Sequence, residues 1–183
     1  SKGLADSLAS MLKGNREFVM IDEQKLVYET ALSLARKSTD TQSHTLIVEG
    51  GPGTGKSVVA INLLVALTKL GLNARYVTKN SAPRNVYESM LTGHFKKSVV
   101  SNFFSGSGSF TETEENTFDA LIIDEAHRLN EKSGMFKNKG ENQIKELMHS
   151  SNLSVFFIDE DQKVTWHDVG EKEEIEKWAN KNG

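Results

Sequence analysis

Residues 50–57 read Gly50-Gly51-Pro52-Gly53-Thr54-Gly55-Lys56-Ser57, and no other stretch of the chain restricts its possible folds so tightly. The apolar run Leu46-Ile47-Val48 precedes it and Val58-Val59-Ala60-Ile61-Asn62-Leu63-Leu64 follows, so a buried strand turns into a helix across the glycines. Glycines permit backbone conformations that a Cβ forbids and let N–H groups face phosphate oxygens, while the helix N-terminus adds partial positive charge. The candidate phosphate-binding residues are therefore Gly51, Pro52, Gly53, Thr54, Gly55, Lys56, Ser57 and Val58. In such a loop the lysine reaches the β- and γ-phosphates and the hydroxyl ligates Mg²⁺, the roles expected of Lys56 and Ser57. An ordinary glycine-rich turn is the alternative, and the strand before and helix after argue against it.

A chain of 183 residues is most simply one domain, large enough for a sheet covered by helices on both faces. Its zero cysteines exclude disulfides and a thiolate metal site. The five histidines, His44, His94, His127, His149 and His167, show no ligand spacing, so protein-held zinc is not expected. No stretch approaches the roughly 20 apolar residues of a membrane span, and the first six residues do not begin a signal peptide. The expected location is cytoplasmic. A net charge of −3 makes no global case for nucleic acid, so any such surface must be local.

Leu4, Leu8, Met11 and Leu12 recur at helical spacing, and Asp22 reads as the N-cap of a second helix over residues 23–36. Gln24 falls in its first turn, where spacing alone makes it a solvated polar residue. Residues 45–48 read as the first core strand, 55–70 as the helix after the loop, and 74–78 as the next strand, a strand-helix-strand unit that signals a parallel sheet. Lys79-Asn80-Ser81-Ala82-Pro83-Arg84 leaves that strand at the edge where open α/β sheets bind ligands, and Lys79, Asn80 and Arg84 are candidates for nucleic-acid phosphates. Residues 93–116 contain Ser105-Gly106-Ser107-Gly108-Ser109 and an acidic run, a composition that predicts a disordered surface loop.

The apolar strand at residues 118–123 runs into Asp124-Glu125. Adjacent carboxylates at such a tip call for a cation to answer them. Beside Mg²⁺-ATP, Asp124 would hold the metal and Glu125 would polarise the attacking water as general base. Residues 128–140 bring Arg128 and three lysines, a local positive density. Residues 142–149 read as a short helix. A further core strand at 155–158 delivers Asp159-Glu160-Asp161-Gln162 to the same sheet edge, where Gln162 can reach the γ-phosphate. A charged helix spans residues 171–180.

Residues 50–57 (Walker A), 124–127 (Walker B) and 159–162 together resemble motifs I, II and III of superfamily 1 helicases, with residues 18–34 similar to the Q-motif region and 78–84 to motif Ia. The closer resemblance is to the Schlafen group 3-like DNA/RNA helicase domain family, carried by residues 48–57, 124–130 and 157–162. It implies a P-loop NTPase fold of α/β class, a RecA-like three-layer αβα sandwich with a mostly parallel sheet. It further implies that Gln24 contacts adenine, Lys56 the β- and γ-phosphates, Ser57 and Asp124 the metal, Glu125 the water and Gln162 the γ-phosphate. One departure is Ile158-Asp159, where superfamily 1 motif III usually begins Gly-Asp.

Residues 1–183 are then expected to form one such domain, with an N-terminal helical segment at 1–38. In these helicases a second RecA-like lobe closes on ATP and supplies arginines; this sequence reads as the first lobe only, expected to bind Mg²⁺-ATP and hydrolyse it slowly. Two functions fit. One is the N-terminal motor lobe of a DNA or RNA helicase or translocase, partnered by a single strand and a second lobe. The other is a regulatory ATPase switch that acts through protein partners without unwinding.

Overall fold

The structure is a computed structural model that describes residues 20–50, 55–78, 101–126, 129, 142–159 and 172–181. Within these, α1 (Asp22–Lys37) leads into β1 (His44–Gly50), α2 (Lys56–Lys69) and β2 (Ala74–Thr78). Then come β3 (Phe104–Gly106), a 3₁₀ turn (Ser107–Phe110), β4 (Phe118–Ile123), α3 (Gln143–His149), β5 (Ser151–Asp159) and α4 (Lys172–Lys181).

Five strands form one sheet in the order β1-β5-β4-β2-β3, and every neighbouring pair is parallel. A parallel sheet must be covered on both faces, and strand alternation sorts the side chains into two cores. Tyr76, Ala120, Ile122, Leu153, Val155 and Phe157 face α1 and α2, whose Leu32, Leu63, Leu64 and Leu67 complete that layer. Val77, Leu121, Ile123, Phe156 and Ile158 face α3 and α4 through Ile144, Leu147 and Ile175. The result is the three-layer αβα sandwich that the motifs imply. Helix α2 is apolar on most of its circumference because it lies between α1 and the sheet.

Three expectations change. Ile21, in extended conformation, is the N-cap of α1, and Asp22 is its first helical residue. Strands β1 and β5 outrun their apolar cores, since the parallel ladder continues through polar residues; Ser151, Asn152 and Ser154 are buried, and the Ser151 and Ser154 hydroxyls lie 2.8 Å apart in a hydrogen bond.

The largest correction concerns residues 101–116, expected as a disordered loop. They supply the fifth strand, with Tyr76, Val77 and Thr78 paired to Phe104, Ser105 and Gly106. Aromatic anchors on either side of the Gly/Ser run outweigh its intrinsic flexibility. Phe104 meets Tyr76 with ring centroids 5.6 Å apart, and Phe110 meets Phe118 at 5.8 Å.

Candidate functional site

All five strands point the same way, so their C-terminal ends share one edge, and the sequence candidates on described residues collect there. β1 ends at Gly50, paired with Asp159 of β5. β4 ends at Ile123, paired with Phe156, so Asp124 emerges one strand beyond β5. Two interstrand spacings, about 10 Å, separate Gly50 from Asp124 across the sheet. That gap is wide enough for a phosphate group and a hydrated cation.

Between β1 and α2 the backbone turns through Gly55, the N-cap of α2, which is left-handed at φ 76°. Gly55 offers no side-chain cap and the first turn of α2 contains no acidic residue, so neither the cap nor the first turn of the helix offsets the positive end of its dipole. Lys56 bridges the loop: its Nζ donates to the Gly50 carbonyl at 2.8 Å, tying the end of β1 to the start of α2. Ser57 and Val58 occupy the next two positions of the first turn, with Ser57 exposed.

Gln24 is more than a solvated residue. Its Oε1 accepts the Ile21 N–H at 2.9 Å, the return half of a capping box whose other half Ile21 cannot make. Its amide Nε2 lies directly against Gly55, where a Cβ would stand. The start of α1 therefore rests on the start of α2. Gly55→Ala should lose about 1–2 kcal/mol to the left-handed backbone alone, with the collision against Gln24 added. Adding Gln24→Ala should recover the collision part but not the backbone part, as read by thermal unfolding; an equal cost of Gly55→Ala in both backgrounds would contradict the contact.

Asp124 is 6% exposed, and alternation from Ala120 and Ile122 aims it at the α2 side of the sheet. Its backbone N–H donates to the Val77 carbonyl at 2.9 Å. Its Oδ2 accepts the Tyr76 hydroxyl at 2.6 Å and its Oδ1 the Glu125 N–H at 2.9 Å. Neutral donors thus answer the buried carboxylate. Glu125 is half-buried and left-handed at φ 48°, a conformation that costs a non-glycine residue roughly 1–2 kcal/mol. The strand stops abruptly there.

The chain matches the sequence profile of "Schlafen group 3, DNA/RNA helicase domain" over residues 43–183. The chain belongs to this Schlafen group 3 helicase domain family. Its P-loop nucleotide-binding class follows from that membership and from the parallel sheet. No curated protein matches the chain. Among solved structures, a DNA replication initiation factor is similar at 14% identity and TM-score 0.46, across 87% of this chain and 46% of that one. Domain III of the Thermotoga maritima replication initiation protein DnaA is similar at 17% identity and TM-score 0.44, across 90% of this chain and 64% of that one. This chain thus spans less than two thirds of either. Both likenesses are distant, and the fold stands on strand order and register.

In this Schlafen group 3 domain the structure brings Gln24, Gly55, Lys56, Ser57, Val58, Asp124 and Glu125 to one edge. Gly51, Pro52, Gly53, Thr54 and Gln162, and the nucleic-acid candidates Lys79, Asn80, Arg84 and Arg128, lie outside the described residues. Tyr76 went unnoticed in the sequence. Only the register reveals it: Tyr76 sits one strand from β4, two residues short of register with Asp124, a diagonal that a long side chain can span.

No helix among the described residues is long and apolar enough to cross a membrane. No cluster of three or more His, Cys, Asp or Glu side chains suited to a metal occurs among them either.

Proposed function

We propose that this domain binds Mg²⁺-ATP at the C-terminal edge of its sheet and hydrolyses it, as the first motor lobe of a superfamily 1-like DNA or RNA helicase or translocase. One observation carries the reading. The loop-closing residues Gly55, Lys56 and Ser57 begin a helix packed on the same sheet face that carries Asp124, with β5 spacing the two groups.

The residues suit Mg²⁺, which takes one or two protein oxygens, keeps several waters and draws its remaining ligands from phosphates rather than from an all-protein cage. Asp124 and the Ser57 hydroxyl would hold it. When bound, Mg²⁺ neutralises charge on the phosphates. Lys56 would exchange the Gly50 carbonyl for the β- and γ-phosphate oxygens, trading a neutral acceptor for an anionic one. Glu125 would take a proton from the attacking water, and Gln162 would orient against the γ-phosphate. Gln24 would meet adenine through an amide already seated against Gly55.

Lys79, Asn80, Arg84 and Arg128 would hold the phosphates of a single strand, and a second RecA-like lobe would supply the arginines that speed turnover. Under this reading the chain spans one domain, and its hydrolysis alone is slow.

ATP turnover measured with and without single-stranded DNA or RNA, over a series of salt concentrations, tests the motor function. Stimulation that fades with salt is the expected result. Robust turnover with no stimulation and no salt-dependent strand binding would point instead to the regulatory switch.

A further inference from the structure

The carboxylate at the tip of β4 is gripped from two sides, and only one grip comes from its own turn. The Glu125 N–H on Oδ1 is a consequence of the chain's reversal there. The Tyr76 hydroxyl on Oδ2 comes from a different strand and from a fully buried side chain. At 2.6 Å it has the length of a charge-assisted O–H···O⁻ bond. The ring cannot swing away, because Phe104 of β3 packs against it and the α1–α2 core encloses it. With one oxygen held by each donor, rotation of the Asp124 carboxylate is blocked, while each oxygen keeps a lone-pair direction for another partner.

We propose that Tyr76 is a positioning residue for the metal-holding carboxylate, fixing the plane of Asp124 so that its free lone pairs present one orientation to Mg²⁺ or to its water. The proposal rests on the reading of Asp124 as the metal-holding group. Mg²⁺ demands near-ideal octahedral geometry and gives up water reluctantly, so a carboxylate with a fixed plane binds it better than one that rotates. Partners that orient a metal-holding group typically matter to metal affinity by about 10- to 100-fold. A purely structural role, in which the hydroxyl only satisfies a buried carboxylate, predicts a change in thermal stability and none in metal dependence.

Tyr76→Phe in the full chain separates these. ATP is titrated in EDTA and again at stepped Mg²⁺ concentrations, against wild type and Asp124→Asn. The expected result is unchanged ATP affinity in EDTA and a Mg²⁺ requirement raised by about 10- to 100-fold. In the Asp124→Asn background, adding Tyr76→Phe should change Mg²⁺ dependence no further. The same Mg²⁺ requirement in Tyr76→Phe as in wild type overturns the positioning role alone. Failure of wild type to bind ATP, or an indifference of its binding to Mg²⁺, overturns the underlying reading of the site and the positioning role with it.

A second measurement does not depend on the folding of Tyr76→Phe. The chain has three tyrosines. In fluorotyrosine-labelled protein carrying Tyr28→Phe and Tyr87→Phe, the remaining resonance reports Tyr76. Adding Mg²⁺ to the ATP-saturated protein should shift that fluorine NMR resonance; a resonance that stays in place contradicts the proposal.

Discussion

Glu125→Gln is expected to keep Mg²⁺-ATP binding while slowing hydrolysis by about 10²- to 10⁴-fold, the range contributed by a positioned general base. Glutamine matches glutamate in size but cannot accept the proton of the attacking water. The substitution leaves Asp124 alone, because its Oδ1 takes a bond from the Glu125 backbone N–H. The left-handed turn at Glu125 is likewise a backbone feature that glutamine inherits. Binding by equilibrium titration and hydrolysis by single turnover, both at saturating Mg²⁺, make the comparison. The low rate expected of the lobe alone makes single turnover preferable to steady state. Hydrolysis within a few-fold of wild type would remove Glu125 from the base role.

Lys56→Ala is expected to abolish useful nucleotide binding. Truncating one member of a close, partly desolvated charge pair costs about 2–5 kcal/mol, or roughly 30-fold to several thousand-fold in affinity. The protein itself should tolerate the change. Without nucleotide, what the variant loses relative to wild type includes the Lys56 bond to the Gly50 carbonyl, and one such hydrogen bond on a half-buried side chain is worth on the order of 1 kcal/mol. A thermal melt beside the binding isotherm separates lost affinity from lost fold.

Much of the fold can be read from the residues, and the reasons are local. Strands β2 and β4 keep the bounds their sequence suggests, because Gly71-Leu72-Asn73 ends the helix before one and Asp124-Glu125 breaks the other. The β1-to-α2 turn announces itself through its glycines. What escapes local reading depends on partners far along the chain. Strand β3 hides in a Gly/Ser run because its stability comes from Tyr76 and from pairing with β2, nearly thirty residues earlier.

The insertion of β5 between β1 and β4, which sets the spacing of the two halves of the site, is likewise invisible to a pattern search along the chain. Spacing alone also understates Gln24, since the Gly55 backbone it touches is brought near only by packing of α1 on α2. Tyr76 belongs to the same class: an aromatic residue in a core strand reads as packing until the register shows where its hydroxyl ends. Resemblance to helicase motifs nominates the candidate residues, whereas the contacts that hold the described ones emerge only from strand order.

The central claim is that a nucleotide sits where α2 begins and β4 ends. Amide hydrogen exchange, followed with and without Mg²⁺-ATP in wild type and in Lys56→Ala, locates it directly. The account predicts that nucleotide slows exchange in wild type at residues 55–58 and 124–125, and that Lys56→Ala loses this protection at the same ATP concentration. Equal protection in the two proteins, or protection confined to the opposite edge of the sheet, would contradict it.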